Sequence, residues 1–236
     1  MKAVLICGGS IDDELALAVL QYRDAAAGAQ GNHAGPATAA GAQERPFITA
    51  ADRGLVWLES HKILPDLVVG DFDSSPEGYI QAYRKRHPDV TIREYCPEKD
   101  YTDTEIAALA AVEAGADEID ILGGTGTRLD HVLGNIQVLN LLAEKGVRGR
   151  LLDPHNRITV HKTGFVMKKR EQWGKYVSFF ALGPDVEKLT LRGFHYPLEN
   201  CTLGCAGSIT VSNQIDGETA EVMFAAGTLV TVESAD

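Results

Sequence analysis

Up to residue 153 the chain repeats one unit: a short apolar run, a loop of glycine and acid, then a helical apolar period. Strands are predicted at 2–7, 46–51, 67–69, 90–95 and 118–122. A helix capped by Asp12 or Asp13 carries Leu15, Leu17, Val19 and Leu20, and further helices are predicted at 55–60 and 76–86. The sharpest local signal is Thr102-Asp103-Thr104-Glu105 ahead of Ile106 and Leu109. That is a capping box, and it opens a helix that runs to about Gly115. Val132, Ile136, Leu139 and Ala143 recur at helical spacing and end near Gly146. Strands separated by helices cannot form hairpins, so they build a parallel sheet with helices on its faces.

Beyond residue 154 the helical period vanishes. Short strands are predicted at 157–161, 176–182, 188–192, 208–212, 221–224 and 229–233, separated by Gly164, Gly183-Pro184, Gly204, Asp216-Gly217 and Ala226-Gly227. The predicted architecture is an α/β parallel-sheet domain, residues 1–153, followed by a smaller antiparallel β-sandwich domain, residues 154–236. Residues 24–44 are rich in Ala and Gly without an apolar period and read as a flexible insertion.

Charge and composition exclude several functions. The 33 acids against 22 Lys and Arg leave a net charge of −11, which argues against nucleic acid as a partner. No apolar run is long enough for a membrane helix, and the N-terminus has neither the apolar stretch nor the cleavage site of a signal peptide. Of the four cysteines, only Cys201 and Cys205 are close, as C-x-x-x-C, so zinc is not expected. Cys7, Cys96, Cys201 and Cys205 read as small buried hydrophobes in a reducing, cytoplasmic compartment.

Chemistry is concentrated where strands end. Asp71 and Asp73 flank Phe72; in extended chain both carboxylates share one face and can converge on an ion. The alternative is an acidic turn leading into the next helix. Lys99-Asp100-Tyr101-Thr102-Asp103 opens a helix whose free N–H groups suit phosphate, while its carboxylates need a divalent ion in between. Together these suggest Mg²⁺ bridging to a polyphosphate. Plain capping explains Thr102 and Glu105 but not Lys99 and Asp100. Gly123-Gly124-Thr125-Gly126-Thr127-Arg128-Leu129-Asp130-His131 lets backbone N–H groups approach a ligand, though it lacks the Gly-Lys-Ser/Thr of a P-loop. Arg128 can fork onto phosphate, and Asp130 can hold that arginine or a ribose hydroxyl. His131 reads as a structural hydrogen-bonder. Ala51-Asp52-Arg53-Gly54 makes a fourth strand-end loop.

The order A-D-x-G, L-P-D-x-x-x-G-D-F-D-S, K-D-x-T-D and G-G-x-G-x-R-x-D-H, with Asn135 following, resembles the thiamine pyrophosphokinase family. Gly193-Phe194-His195-Tyr196-Pro197-Leu198 and Gly207-Ser208-Ile209-Thr210-Val211-Ser212-Asn213 resemble the motifs of its sandwich domain, so the likeness runs over essentially the whole chain. The resemblance implies a cytoplasmic homodimer with active sites at the subunit interface, transferring diphosphate from ATP to thiamine with Mg²⁺ and releasing AMP. It implies that Asp71, Asp73 and Asp100 hold Mg²⁺, with Asp103 close by as a fourth catalytic acid. Asp52, Lys99, Gly123, Gly124, Arg128, Asp130, His131 and Asn135 would face ATP. Ser212 and Asn213 would line the thiamine pocket. Arg53 stands where a second small residue is common, and either crowds the nucleotide or adds a phosphate contact. The rival readings are a diphosphokinase for a hydroxymethylpterin, a Mg²⁺ phosphohydrolase using Asp71 and Asp73, and a non-catalytic nucleotide-binding module.

Overall fold

The computed structural model describes residues 1–20, 45–72, 78–96, 100–126 and 128–236. The 24–44 insertion, Asp73 and Lys99 therefore lie outside the described residues. Six strands, β1 (Lys2–Ile6), β2 (Phe47–Ala51), β3 (Leu67–Gly70), β4 (Thr91–Glu94), β5 (Glu118–Leu122) and β6 (Arg148–Leu152), form a parallel array in the order β4-β3-β2-β1-β5-β6. The chain moves outward from β1 through β2 to β4, then returns to β5 on the other side of β1. Between β1 and β5 lies the switch point at which open parallel sheets place their ligands.

Helices cover both faces. Helix α1 (Asp13–Val19), α2 (Gly54–Ser60) and α3 (Tyr79–Arg86) pack with Val4, Ile6, Val68, Phe72 and Leu122. The helix expected from residue 76 is described from Tyr79 onward. Helices α4 (Asp103–Glu113) and α5 (Leu129–Glu144) pack on the other face with Leu5, Val69, Ile121 and Leu151. The buried face of α4 is Ala107, Ala108, Ala110 and Ala111. Alanine favours the helix and lets it lie close to the sheet. The Thr102 half of the capping box is present at its start: the Thr102 hydroxyl accepts from Glu105 N at 3.2 Å.

At Asp153 the chain reverses. The Asp153 carboxylate accepts from the backbone N–H groups of His155 and Asn156, closing a tight turn. Strand β7 (Asn156–His161) then returns antiparallel along β6. The sheet continues through β13 (Leu229–Ser234) to β9 (Tyr176–Ala181), nine strands in all. A four-stranded antiparallel sheet, in the order β11 (Leu198–Leu203), β10 (Val186–Arg192), β12 (Thr219–Met223) and β8 (Phe165–Lys168), closes over its far end. Between them sits a third core of Val177, Phe179, Leu189, Leu191, Val222 and Leu229. The architecture is thus a large mixed sheet with helices, followed by a small antiparallel sheet that completes a sandwich.

Three sequence expectations are corrected. Residues 208–212 form turns, not a strand; Thr210 is buried and gives its hydroxyl to Phe179 O, and Ser212 is left-handed at φ 58°. Conversely, β6, β8 and β11 are strands without a predictive alternation, because β6 carries Arg148 and Arg150 and β11 is interrupted by left-handed Asn200. The cysteines are not uniformly buried. Cys7 is, but Cys96 and Cys205 lie exposed in loops and Cys201 is half-buried. No helix among the described residues is long and apolar enough to cross a membrane.

Candidate active site

A crevice of about 700 Å³ opens beyond the carboxyl ends of the parallel strands. Five loops reach it: Cys7–Ser10 after β1, Asp52 and Arg53 after β2, Asp71 after β3, the start of α4, and the glycine loop leading into α5. The two glycine segments flank the switch point and are tied together, with Gly9 N donating to Gly123 O at 3.0 Å. Gly123 is left-handed at φ 68°, and a Cβ there would fall 2.7 Å from Cys7 O. No other residue fits that clasp.

Acids line the same crevice as the glycines. Asp71 follows the last residue of β3, and Asp103 stands in the first turn of α4. Phe72 between Asp71 and Asp73 is buried, as expected of a packing residue, but its φ is 56°. The chain there is left-handed rather than extended, so the alternation that would place two carboxylates on one face does not apply. Asp52 is also left-handed, at φ 46°. Two such residues side by side on a strand-end rim are typical of a functional site, where surrounding structure holds the backbone. Asp100 is exposed, just ahead of the Thr102 cap, and is not among the lining residues.

Arg128 and Asp130 form a two-point pair, Nε–Oδ1 3.2 Å and Nη2–Oδ2 2.5 Å. The guanidinium holds the Asp130 carboxyl below its usual range, and the carboxylate raises Arg128 in turn. Of the two roles open to Asp130, the structure shows it holding the arginine. Both groups are more than 60% exposed, so the pair can open to a ligand at little cost. Helix α5 begins at Arg128 without a side-chain cap, and His131 lines the same wall.

Asn135 is buried, one turn further along α5. Its amide donates to Gly124 O at 2.7 Å, strapping the glycine loop to the helix. Asn135→Ala is expected to cost about 1–3 kcal/mol, because the Gly124 carbonyl is left unpaired. Denaturant unfolding would measure it, and an unchanged midpoint would show that the strap carries no load.

Ser212 and Asn213 do not line this crevice. They lie beside the start of β9, where Ser212 N donates to Ser178 Oγ and Asn213 pairs its backbone with Val177. The Asn213 side chain accepts from Tyr196 N and Gln214 N and donates to Tyr196 O. It shapes the 194–196 loop from within.

The crevice also contains residues that motif reading passed over. Ser10 follows Gly8-Gly9, and a strand running into G-G-S before a helix carries the same signal as the other rim loops. Tyr101, 57% exposed, and Thr104 line the α4 side. Thr104 Oγ1 lies 3.5 Å from Cys7 Sγ. Burial pushes the Cys7 thiol up to about 11, so it stays protonated and is not a nucleophile.

Among the described residues no three His, Cys, Asp or Glu side chains converge into a complete metal cage. Mg²⁺ commonly takes one or two protein carboxylates and fills its shell with water and substrate phosphate. Asp71 and Asp103 on the crevice wall are donors of that kind.

Comparison with known proteins gives a consistent picture. The "Thiamin pyrophosphokinase, catalytic domain" profile matches residues 40–149, and the "Thiamin pyrophosphokinase, vitamin B1 binding domain" profile matches residues 163–229. The thiamine pyrophosphokinase of Bacillus subtilis (strain 168) is 35% identical over 193 residues, covering 82% of this chain and 89% of the relative. A crystal structure of thiamine pyrophosphokinase from Bacillus subtilis superposes with a TM-score of 0.81 at 30% identity, covering 100% of both chains. That from Geobacillus thermodenitrificans gives 0.78 at 28% identity, covering 100% of this chain and 98% of the other.

Proposed function

The chain belongs to the thiamin pyrophosphokinase family, and from that membership and the rim geometry we propose that it transfers diphosphate from ATP to thiamine. The observation that carries the reading is the crevice itself. Strand-end loops meet around the β1/β5 switch point, with glycine segments and two helix N-termini to receive phosphate and carboxylates among them.

In this reading the thiamine hydroxyl oxygen bonds to the β-phosphorus, and the bond from that phosphorus to the α-phosphate oxygen breaks. AMP leaves. Catalysis of this class is mostly positioning and charge neutralisation. The Gly9 and Gly123–Gly126 backbone seats the polyphosphate, the α4 and α5 N-termini face its charge, and Arg128 exchanges Asp130 for phosphate oxygen. Asp71 and Asp103, with Asp73 and Asp100 in the adjoining segments, would hold Mg²⁺. When bound, the ion neutralises charge between these carboxylates and the phosphates. Asp100 and Asp103 are also the available acceptors for the hydroxyl proton.

The proposal extends to assembly. Residues 1–153 supply the ATP side and 154–236 the thiamine side, and a second copy brings the two together at the subunit interface in the cytoplasm. Exposed apolar side chains support this at both places. Leu129 and Leu133 stand 72% and 66% exposed beside the crevice, and Tyr196, Ile209 and Val211 stand out around Ser212 and Asn213.

The test is product analysis. Incubation with ATP, Mg²⁺ and thiamine, followed by chromatography, is expected to show thiamine-dependent AMP with matching thiamine diphosphate. ADP in place of AMP would overturn attack at the β-phosphorus. A hydroxymethylpterin turned over in place of thiamine would overturn the acceptor assignment.

A further inference from the structure

The crevice carries more fixed acid than fixed base. Among the described residues lining it, Asp52, Asp71 and Asp103 are carboxylates, while Arg53 and Arg128 are the arginines and no lysine is present. Arg128 is already engaged by Asp130. The Arg53 side chain makes no hydrogen bond or ion pair with any described residue.

Its placement is nevertheless rigid. Asp52 before it is left-handed, with its N–H bonded to Val69 O at 2.8 Å. Gly54 after it sits so tightly on the end of β1 that a Cβ would fall 2.0 Å from Ile6 O. Between these anchors, Arg53 Cβ lies 3.0 Å from where a Cβ on Gly8 would stand. The side chain thus rises beside the Gly8-Gly9 segment, which bonds to the glycine loop after β5. A planar fork of donors, uncommitted among the described residues, stands next to a backbone that accepts close approach, in a crevice whose other described charged residues are mostly carboxylates. Repulsion from those carboxylates must be offset where a polyphosphate enters.

Resting on the ATP reading above, we infer that Arg53 is a nucleotide-binding residue whose guanidinium grips the polyphosphate of the incoming nucleoside triphosphate. Of the two roles its unusual position left open, crowding and phosphate contact, the geometry points to contact.

The test is calorimetric titration of the whole protein with ATP and Mg²⁺ in the absence of thiamine, with adenosine as the uncharged control. Arg53→Ala is expected to weaken ATP about 10- to 100-fold, the loss of one charge-assisted contact, and to leave adenosine unchanged. Arg53→Lys is expected to fall between, since it keeps the charge but loses the fork. In turnover, KM for ATP rises while KM for thiamine and kcat stay within a few-fold, and the melting temperature of the free variant matches wild type. Wild-type ATP affinity in Arg53→Ala would overturn the inference, and so would an equal loss for adenosine. A folded wild-type protein that binds no ATP would overturn the ATP reading itself and this inference with it.

Discussion

Asp71→Asn is expected to lower kcat/KM by about a thousandfold, about 4 kcal/mol of transition-state stabilisation, while leaving the fold as stable as wild type. The two halves of this expectation have separate causes. Asp71 follows the last residue of β3 and lines the crevice, so its charge acts on an ion or phosphates bound there. Asparagine keeps the shape and removes the charge, and a neutral amide is a poor partner for Mg²⁺. Stability should hold because Asp71 is only half-buried on a rim loop, where such changes stay within about 0.5 kcal/mol. Steady-state kinetics and a melting curve on the same preparation decide it. Wild-type turnover in Asp71→Asn would sink the metal assignment, and a large fall in melting temperature would make the residue structural. Asp73→Asn carries the same expected loss of activity from its place in the sequence motif.

The loops around Asp71 show which parts of the molecule were legible beforehand. Four of the five rim segments announce themselves as a strand running into glycine or acid, and Thr102-Asp103-Thr104-Glu105 names its own helix start. Those signals are local, so they survive without knowledge of the partner elements. What was lost is set by tertiary pairing. The 208–212 segment alternates like a strand, but Thr210 and Ser212 bond to β9 through Phe179 O and the Ser178 hydroxyl instead of forming a ladder. The left turn at Phe72 was equally hidden, because nothing local marks a bulky residue as left-handed. The clearest loss is β6. Its Arg-Gly-Arg start disguised a central strand of the nine-stranded sheet, because the charges that belong outside are matched by acids on β5.

That charge network supports the second large prediction. Asp120, in the middle of β5, is 2% exposed. It takes Arg150 Nε at 2.5 Å, Arg150 Nη2 at 3.0 Å and Lys2 Nζ at 3.1 Å, and Arg150 also reaches Glu118. Asp120→Ala is expected to destabilise the protein by about 3 kcal/mol, because a largely buried guanidinium loses its principal counter-charge. In a chain of this size that lowers the melting temperature by about 6–12 °C. Removing the arginine as well should recover much of the loss: Asp120→Leu with Arg150→Met removes both charges of the buried pair, leaves Glu118 paired with Arg148 and leaves Lys2 at a side chain 34% exposed to water, so it should melt near wild type. A double variant as unstable as Asp120→Ala would show that the pair is needed for packing and not for charge balance. Asp120 is not among the residues lining the crevice, so kcat/KM of the folded fraction should stay unchanged. The effect is therefore the mirror image of Asp71→Asn. One aspartate carries chemistry on a tolerant rim, the other carries the sheet beneath it, and a single melting curve with a single rate measurement tells them apart.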